Sequence, residues 1–106
     1  MPHPDHVLEL AIFTVKPEYV AQMPELRDGL REALKSFPGL IAYRGYCPMN
    51  DQRTFVDIAD WQTYEHAADV ARAFNEGDPR FSAYMAAIES LSFICLLYTS
   101  DAADEE

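Results

Sequence analysis

The sequence has few basic residues, and this shortage excludes one class of partner. Eight Lys and Arg residues stand against 18 Asp and Glu residues, which gives a formal net charge of −10. A polyanion would be repelled by this charge, and no local cluster of Lys or Arg offsets it. We therefore do not expect nucleic acid as a partner.

Glycine, cysteine and recognisable catalytic motifs are also scarce. The two cysteines, Cys47 and Cys95, do not form a spaced metal or redox motif. No motif of a nucleophilic triad, a phosphate loop or a dinucleotide site is present. Glu9, Asp57 and His66 are possible metal ligands by type, but nothing in their spacing enforces a site. The sequence therefore predicts neither a bound cofactor nor a metal ion.

Long apolar runs are missing as well. No run reaches the roughly 20 residues that are needed to cross a bilayer. The first residues, M-P-H-P-D-H, have neither the basic nor the apolar segment of a signal peptide. We therefore expect a cytoplasmic protein of one domain that does not contact a membrane.

The end of the chain has an unusual composition. Residues 95–105, C-L-L-Y-T-S-D-A-A-D-E, resemble the translation of a transposase-based sequencing adapter, without a mismatch. The alternative is a genuine acidic tail. We expect a flexible N-terminus at 1–6, a folded domain at 7–94 and a non-native tail at 95–106, part of which extends the last strand.

Hydrophobic periodicity predicts an order of β-α-β-β-α-(α)-β. Strand patterns occupy 7–15 and 91–97, two further strand-like runs within 38–61 flank a polar break at 49–52, and apolar residues every three or four positions indicate helices at 18–37 and after Thr63. Asp78 and Pro79 are typical of the start of a further short helix. This order favours an α+β ferredoxin-like sandwich, with a four-stranded antiparallel sheet, central first and third strands, and helices on one face.

The hairpin at 38–61 contains most of the candidate site residues. If Asn50 and Asp51 form a two-residue turn, Arg44 faces Asp57 and Tyr46 faces Phe55, although a slip of one residue would offset these pairs. The opposite parity, with Ile41, Tyr43, Gly45, Thr54, Val56 and Ile58, is expected to pack on the helices.

The remaining parity of the sheet is expected to be left bare by the helices. It carries an apolar set that is too large to leave in water: Val7, Ala11, Phe13, Tyr46, Phe55 and Trp61. We therefore expect a homodimer that is joined through this open sheet face.

Glu9, Arg44 and Asp57 are the best candidates for catalytic residues. Two carboxylates on neighbouring strands would raise the pKa of one of them, and Arg44 could hold the other ionised. The expected ligand is a small aromatic molecule, in a pocket lined by Phe13, Tyr46, Phe55, Trp61 and His66. The alternative is that Arg44 and Asp57 form an interface ion pair, that Glu9 faces water or the partner, and that His66 is a solvated helix residue.

Several of these patterns resemble one family. The strand with Glu9, the helix ending in F-P-G-L, V-D-I-A-D-W and D-P-R-F are similar to the antibiotic-biosynthesis-monooxygenase-like group of dimeric α/β barrels, over 7–94. The resemblance implies a cofactor-independent monooxygenase acting on an aromatic or polyketide-like molecule, or else a non-catalytic ligand-binding or accessory dimer. Haem-degrading members carry an asparagine on the first strand, which is absent between 7 and 15, and a histidine further from Trp61 than His66 is.

Overall fold

The structure is a computed structural model that describes residues 6–50 and 52–98, and its centre is a four-stranded antiparallel sheet. The strands are β1 (Val7–Val15), β2 (Leu40–Tyr46), β3 (Thr54–Trp61) and β4 (Ile88–Tyr98), in the spatial order β2-β3-β1-β4. The first and third strands lie in the middle, and the helices cover one face of the sheet. The predicted α+β ferredoxin-like fold is confirmed.

Three helices connect and cover the strands. They are α1 (Met23–Lys35), α2 (Tyr64–Asn75) and α3 (Ser82–Ala87), with 3₁₀ turns at Pro17–Gln22 and Pro79–Phe81. Pro24 lies in the first turn of α1, where its missing N–H leaves no intrahelical bond unmade. The Thr63 side chain accepts a hydrogen bond from the His66 N–H and caps α2, as its position before the apolar stripe predicts.

The predicted register of the hairpin is wrong by one residue over most of its length. Arg44 is paired with Ile58, and Asp57 is paired with Gly45. The first strand of the hairpin ends at Tyr46 and the second begins at Thr54, so the strands do not flank a two-residue turn, and an irregularity between Leu40 and Ala42 shifts the pairing. Because side chains alternate along a strand, this shift places Arg44 and Asp57 on opposite faces of the sheet.

The predicted assignment of the two sheet faces is wrong for β1 and β3, but it is right for Tyr43 and Gly45 of β2, which lie on the helix-covered side. Phe13 and Trp61 are 1% and 0% exposed because they lie on the face that the helices cover. Val7, Ala11 and Phe55 share that face through the pairing of β1 with β3. Of the apolar residues expected on the open face, Tyr46 is the one that the register places there, and it is exposed.

The face without helices nevertheless carries a large apolar surface. The registers place on it residues from all four strands: Leu8, Leu10, Ile12, Ala42, Arg44, Tyr46, Val56, Ile58, Phe93, Cys95 and Leu97. Phe93 and Leu97 are about half exposed. An apolar surface that favours self-association is therefore present on the open face, but it is formed by residues other than the predicted ones.

The last strand starts earlier than predicted. It begins at Ile88 and continues to Tyr98, so Cys95 and the residues up to Tyr98 pair with β1. The predicted N-terminal segment up to residue 5 and the predicted tail from residue 99 onward lie outside the described residues. Among the helices of the described part, none combines the length and the apolarity that crossing a bilayer demands.

Candidate functional site

A cavity of about 340 Å³ lies between the helix-covered face of the sheet and the helices. Residues of β1, β2 and β3 line the cavity on the side of the sheet, and residues of all three helices line the opposite side. Residues of β4 line one edge. Most of its wall is apolar, and its polar members are Glu9, Tyr43, Asp57, Asn75, Tyr84, Glu89 and Ser90. Asn75, Glu89, Ser90 and Leu91 are exposed, so the cavity opens to solvent beside the start of β4.

Glu9 is a carboxyl group in largely apolar surroundings. It lies on β1 next to Ala59 of β3, and its Oε1 accepts a hydrogen bond of 3.2 Å from Nε1 of Trp61. Burial raises the pKa of Glu9 above its ordinary value; the indole hydrogen bond opposes this rise, and the negative charge of Asp57 adds to it. Glu9 therefore holds a proton more readily than an exposed carboxylate does.

Asp57 lies on the same face as Glu9 but is surrounded by donors. Its Oδ1 accepts from Arg27 Nη2 at 2.9 Å and from the Tyr43 hydroxyl at 2.9 Å, and its Oδ2 accepts from the Tyr84 hydroxyl at 2.6 Å. Burial, followed by the charge of Asp57, raises the pKa of Tyr43 and of Tyr84, so both hydroxyls keep their hydrogens.

Arg27 anchors this network from α1. Its side chain is only 8% exposed, and its guanidinium donates to Asp57 and to the backbone carbonyls of Val56, at 3.0 Å, and Tyr46, at 3.2 Å. The guanidinium also lies 5.1 Å from the centre of the Phe55 ring. Gly45 makes room for it, because a Cβ on that residue would come within 2.6 Å of Arg27 Cζ.

The structure brings together some of the predicted site residues. Glu9, Asp57 and Phe13 line the cavity. Trp61 and Phe55 lie next to it, the first through its bond to Glu9 and the second by stacking on Phe13 at 6.3 Å between ring centres. The expectation that Glu9 and Asp57 share one face is therefore met, on the side that the helices cover.

Three predicted site residues lie elsewhere. Arg44 and Tyr46 are exposed on the opposite face of the sheet, because of the register shift described above. His66 lies at the start of α2, where its Nδ1 is 2.9 Å from the Thr63 hydroxyl and its ring packs against Gly39. It does not line the cavity, and no histidine does among the described lining residues. The residues present therefore do not fit a haem group.

Arg27, Tyr43 and Tyr84 are the site residues that the sequence reasoning missed. Arg27 falls on the buried stripe of α1 between Met23 and Leu30, where a charged residue needs a buried partner. A charged residue at a buried position of the helix is the sequence feature that indicates its role in the site. The strand parity predicts that Tyr43 packs on the helices, and the hydroxyl group at the end of each tyrosine ring is the feature that indicates a hydrogen-bonding role.

The two carboxyl groups in the cavity differ in the number of hydrogen bonds that they accept. Asp57 has donors on both oxygens, whereas one hydrogen bond, from Trp61, is described for Glu9. A carboxyl group with a raised pKa at the wall of an apolar cavity is suited to take a proton from a bound molecule and return it. Among the described residues, no cluster of three or more potential metal ligands is present.

Gly45→Ala is expected to destabilise the protein by about 1–3 kcal/mol, as overpacking of a filled site does. The new methyl group would displace the guanidinium of Arg27 from Asp57 and from the carbonyl of Val56. Urea unfolding measures the loss. Gly29→Ala is the matched control on α1: a Cβ there meets nothing within 4 Å, and the change should stabilise the helix by about 0.5–1 kcal/mol. Equal stability of Gly45→Ala and wild type would show that Arg27 is not held in place.

The burial of Glu9 predicts a pH-dependent difference between wild type and Glu9→Gln. A carboxyl group whose pKa is raised on folding stabilises the protein below its ordinary pKa of 4.5, and this stabilisation is lost as the pH rises through the folded-state pKa. The free energy of unfolding of Glu9→Gln should therefore improve relative to wild type between pH 4 and pH 7. Urea unfolding at intervals across this range checks it, with exposed Glu18→Gln as the control for losing a carboxylate. A difference that does not change with pH would contradict the burial of Glu9.

Comparison with known proteins finds similar structures but no matching family model or curated sequence. SnoaB of Streptomyces nogalater, a cofactor-independent oxygenase, is similar with a TM-score of 0.70 and 20% identity, over 95% of this chain and 99% of that one. A conserved protein of Methanosarcina mazei Go1 is similar with a TM-score of 0.72 and 18% identity, over 92% and 95% of the two chains.

A protein of Nitrosomonas europaea that is assigned by name to the antibiotic biosynthesis monooxygenases is similar with a TM-score of 0.71 and 13% identity, over 96% of this chain and 97% of that one. The chain therefore has the fold of the antibiotic-biosynthesis-monooxygenase-like proteins, which confirms the resemblance found in its strands, hairpin and helices.

Proposed function

We propose that this protein is a cofactor-independent oxygenase that acts on an aromatic or polyketide-like small molecule in the cavity, with Glu9 as the acid–base group. The observation that carries the proposal is the position of Glu9: a carboxyl group with a raised pKa at the wall of a mostly apolar cavity. The fold shared with SnoaB, which is itself a cofactor-independent oxygenase, supports it.

The cavity suits a flat ligand. Its volume of about 340 Å³ lies at the lower end of the range for small-molecule sites. Phe13, Phe74 and Phe81 are among its lining residues, and an aromatic molecule packs favourably against aromatic side chains. A ligand of two or three fused rings is therefore the expected size.

An anthrone illustrates the reaction that this site would support. Glu9 takes a proton from the activated CH₂ group, and the resulting electron-rich anion reduces O₂. One oxygen atom becomes the new carbonyl oxygen, and the other leaves as water with the two hydrogens of the CH₂ group. The anthrone is oxidised, O₂ is reduced, and no resident cofactor takes part. A raised pKa makes Glu9 a stronger base for this step than an ordinary carboxylate.

Asp57 is less suited to be the base. Arg27, Tyr43 and Tyr84 already donate hydrogen bonds to its two oxygens. A proton arriving there would displace at least one of these donors. We therefore assign proton transfer to Glu9 and a structural and electrostatic role to Asp57.

Oxygen uptake tests the proposed reaction. Purified protein with an anthrone should consume O₂, and Glu9→Gln should lower kcat at least tenfold, because the amide cannot accept the proton. Glu18→Gln, with an exposed side chain, should retain the wild-type rate. A Clark-type electrode measures both. Undiminished turnover by Glu9→Gln would reject Glu9 as the base.

The same preparation distinguishes the alternatives. Binding of the anthrone without O₂ uptake would favour the non-catalytic ligand-binding or accessory role. The haem-degrading alternative requires a Soret band on addition of hemin, and none is expected, because no histidine is among the described lining residues of the cavity.

Self-association belongs to the same proposal. Leu10, Ile58 and Phe93 lie on the sheet face that the helices leave bare, and burying such a surface is favourable at about 25 cal/mol per Å². A homodimer joined through this open sheet face is the arrangement that covers it in both copies.

Leu10→Glu should disrupt this dimer. Leu10 lies on a central strand, between Ile58 and Cys95, so a charge there would be desolvated at the interface. Light scattering should give twice the chain mass for wild type and the single chain mass for Leu10→Glu. Ala83→Glu, on the exposed surface of α3, should remain dimeric. A wild-type protein that is monomeric at micromolar concentration would contradict the proposal.

A further inference from the structure

Two tyrosines that line the cavity donate their hydroxyl hydrogens to the same carboxylate. The Tyr43 hydroxyl donates to Oδ1 of Asp57 at 2.9 Å, and the Tyr84 hydroxyl donates to Oδ2 at 2.6 Å. A hydroxyl has one hydrogen and two lone pairs, so each group has only lone pairs left for another partner. One lone pair of Tyr84 already faces Nε of Arg27, at 3.5 Å.

The carboxylate is fixed in a way that keeps those hydrogens in place. Asp57 is only 14% exposed at its side chain, and Arg27, which donates to it at 2.9 Å, is itself held by two backbone carbonyls. If a tyrosine turned its hydrogen towards a ligand, a buried carboxylate oxygen would lose a partner. That loss is costly for a buried carboxylate.

We infer that Asp57 is a specificity-determining residue that sets the hydrogen-bond polarity of the cavity. By holding both hydroxyl hydrogens, it leaves Tyr43 and Tyr84 as acceptors towards anything bound. This wall selects an aromatic ligand that carries a hydrogen-bond donor, such as a phenol, over one that carries only acceptors. The inference rests on the proposed function only in that an aromatic molecule occupies this cavity.

The charged groups around the cavity also disfavour one kind of ligand, an anion. Glu9 and Asp57 both line it, and the third carboxylate of the lining, Glu89, is paired at 2.8 Å with Arg53 at its exposed edge. The Nη2 group of Arg27 donates to Asp57 and to two backbone carbonyls, and Arg27 is not among the described lining residues. An anionic aromatic ligand therefore meets carboxylates without a free cation among the described lining residues.

Three ligands with one ring system test this inference: 2-naphthol, 2-methoxynaphthalene and 2-naphthoate. Calorimetric titration without oxygen separates binding from turnover. Wild type should bind 2-naphthol at least tenfold more tightly than either of the others, which corresponds to one hydrogen bond gained or lost. Equal affinity of wild type for 2-naphthol and 2-methoxynaphthalene would overturn the inference.

Asp57→Asn is the decisive variant. The amide would donate an N–H to one of the tyrosine oxygens, so that hydroxyl would be free to turn its hydrogen into the cavity. The preference for 2-naphthol over 2-methoxynaphthalene should then fall at least tenfold. A merely structural role for Asp57 would weaken all three ligands alike and leave their ratio unchanged, which would contradict the inference.

Two further variants keep the test valid if Asp57→Asn does not fold. Tyr84→Phe and Tyr43→Phe remove one acceptor each, so each should weaken 2-naphthol and leave 2-methoxynaphthalene unaffected. Glu18→Gln should keep the wild-type preference, because its side chain is exposed and is not among the described lining residues of the cavity. Anthrone oxidation with no ligand preference would reject this inference alone. Absence of both oxidation and naphthalene binding would reject the proposed function with it.

Discussion

The ion pair between Arg27 and Asp57 is the interaction on which the site depends. It joins α1 to β3 across the interior, and Arg27 also bonds the carbonyl groups of Tyr46 and Val56 at the hairpin end of the sheet. A buried ion pair repays its desolvation only when its remaining donors and acceptors are satisfied. Tyr43 and Tyr84 provide that satisfaction for Asp57. The four residues therefore form one unit, in which losing any member removes a hydrogen bond from another buried polar group.

This unit also explains how two carboxyl groups on one sheet face acquire different roles. Asp57 is enclosed by three donors, whereas Glu9 has the indole of Trp61 as its described donor and lies in a cavity whose wall is mostly apolar. Environment, and not residue type, separates a carboxyl group that organises its neighbours from one that exchanges a proton. The position of the donors is thus what makes chemistry possible at Glu9.

Much of the fold was predictable from the sequence, because periodicity and capping are local properties. The parity that put Glu9, Phe13 and Asp57 on one side follows from the alternation of a strand. Alternation does not show which side the helices cover, and the structure places these residues on the covered side. Their partners come from distant parts of the chain, with Arg27 30 residues before Asp57 and Tyr84 27 after it. Sequence pattern within one strand cannot show such partners. The register of Arg44 failed for a similar reason, because the length of the connection between β2 and β3 is not set by the strands it joins.

The cavity is itself a consequence of side-chain size. Ala11 and Ala59 on the sheet face Ala71 on α2, so small side chains lie where a close-packed core would have large ones. A sealed and dry void of 340 Å³ would cost about 8 kcal/mol at roughly 24 cal/mol per Å³, which is comparable to the whole stability of a small domain. The opening beside Glu89 and Ser90 removes this cost, because solvent or a ligand can fill the space. The chain thus tolerates the absence of large side chains at its centre because the space is accessible from outside, and that accessibility is also what a ligand requires.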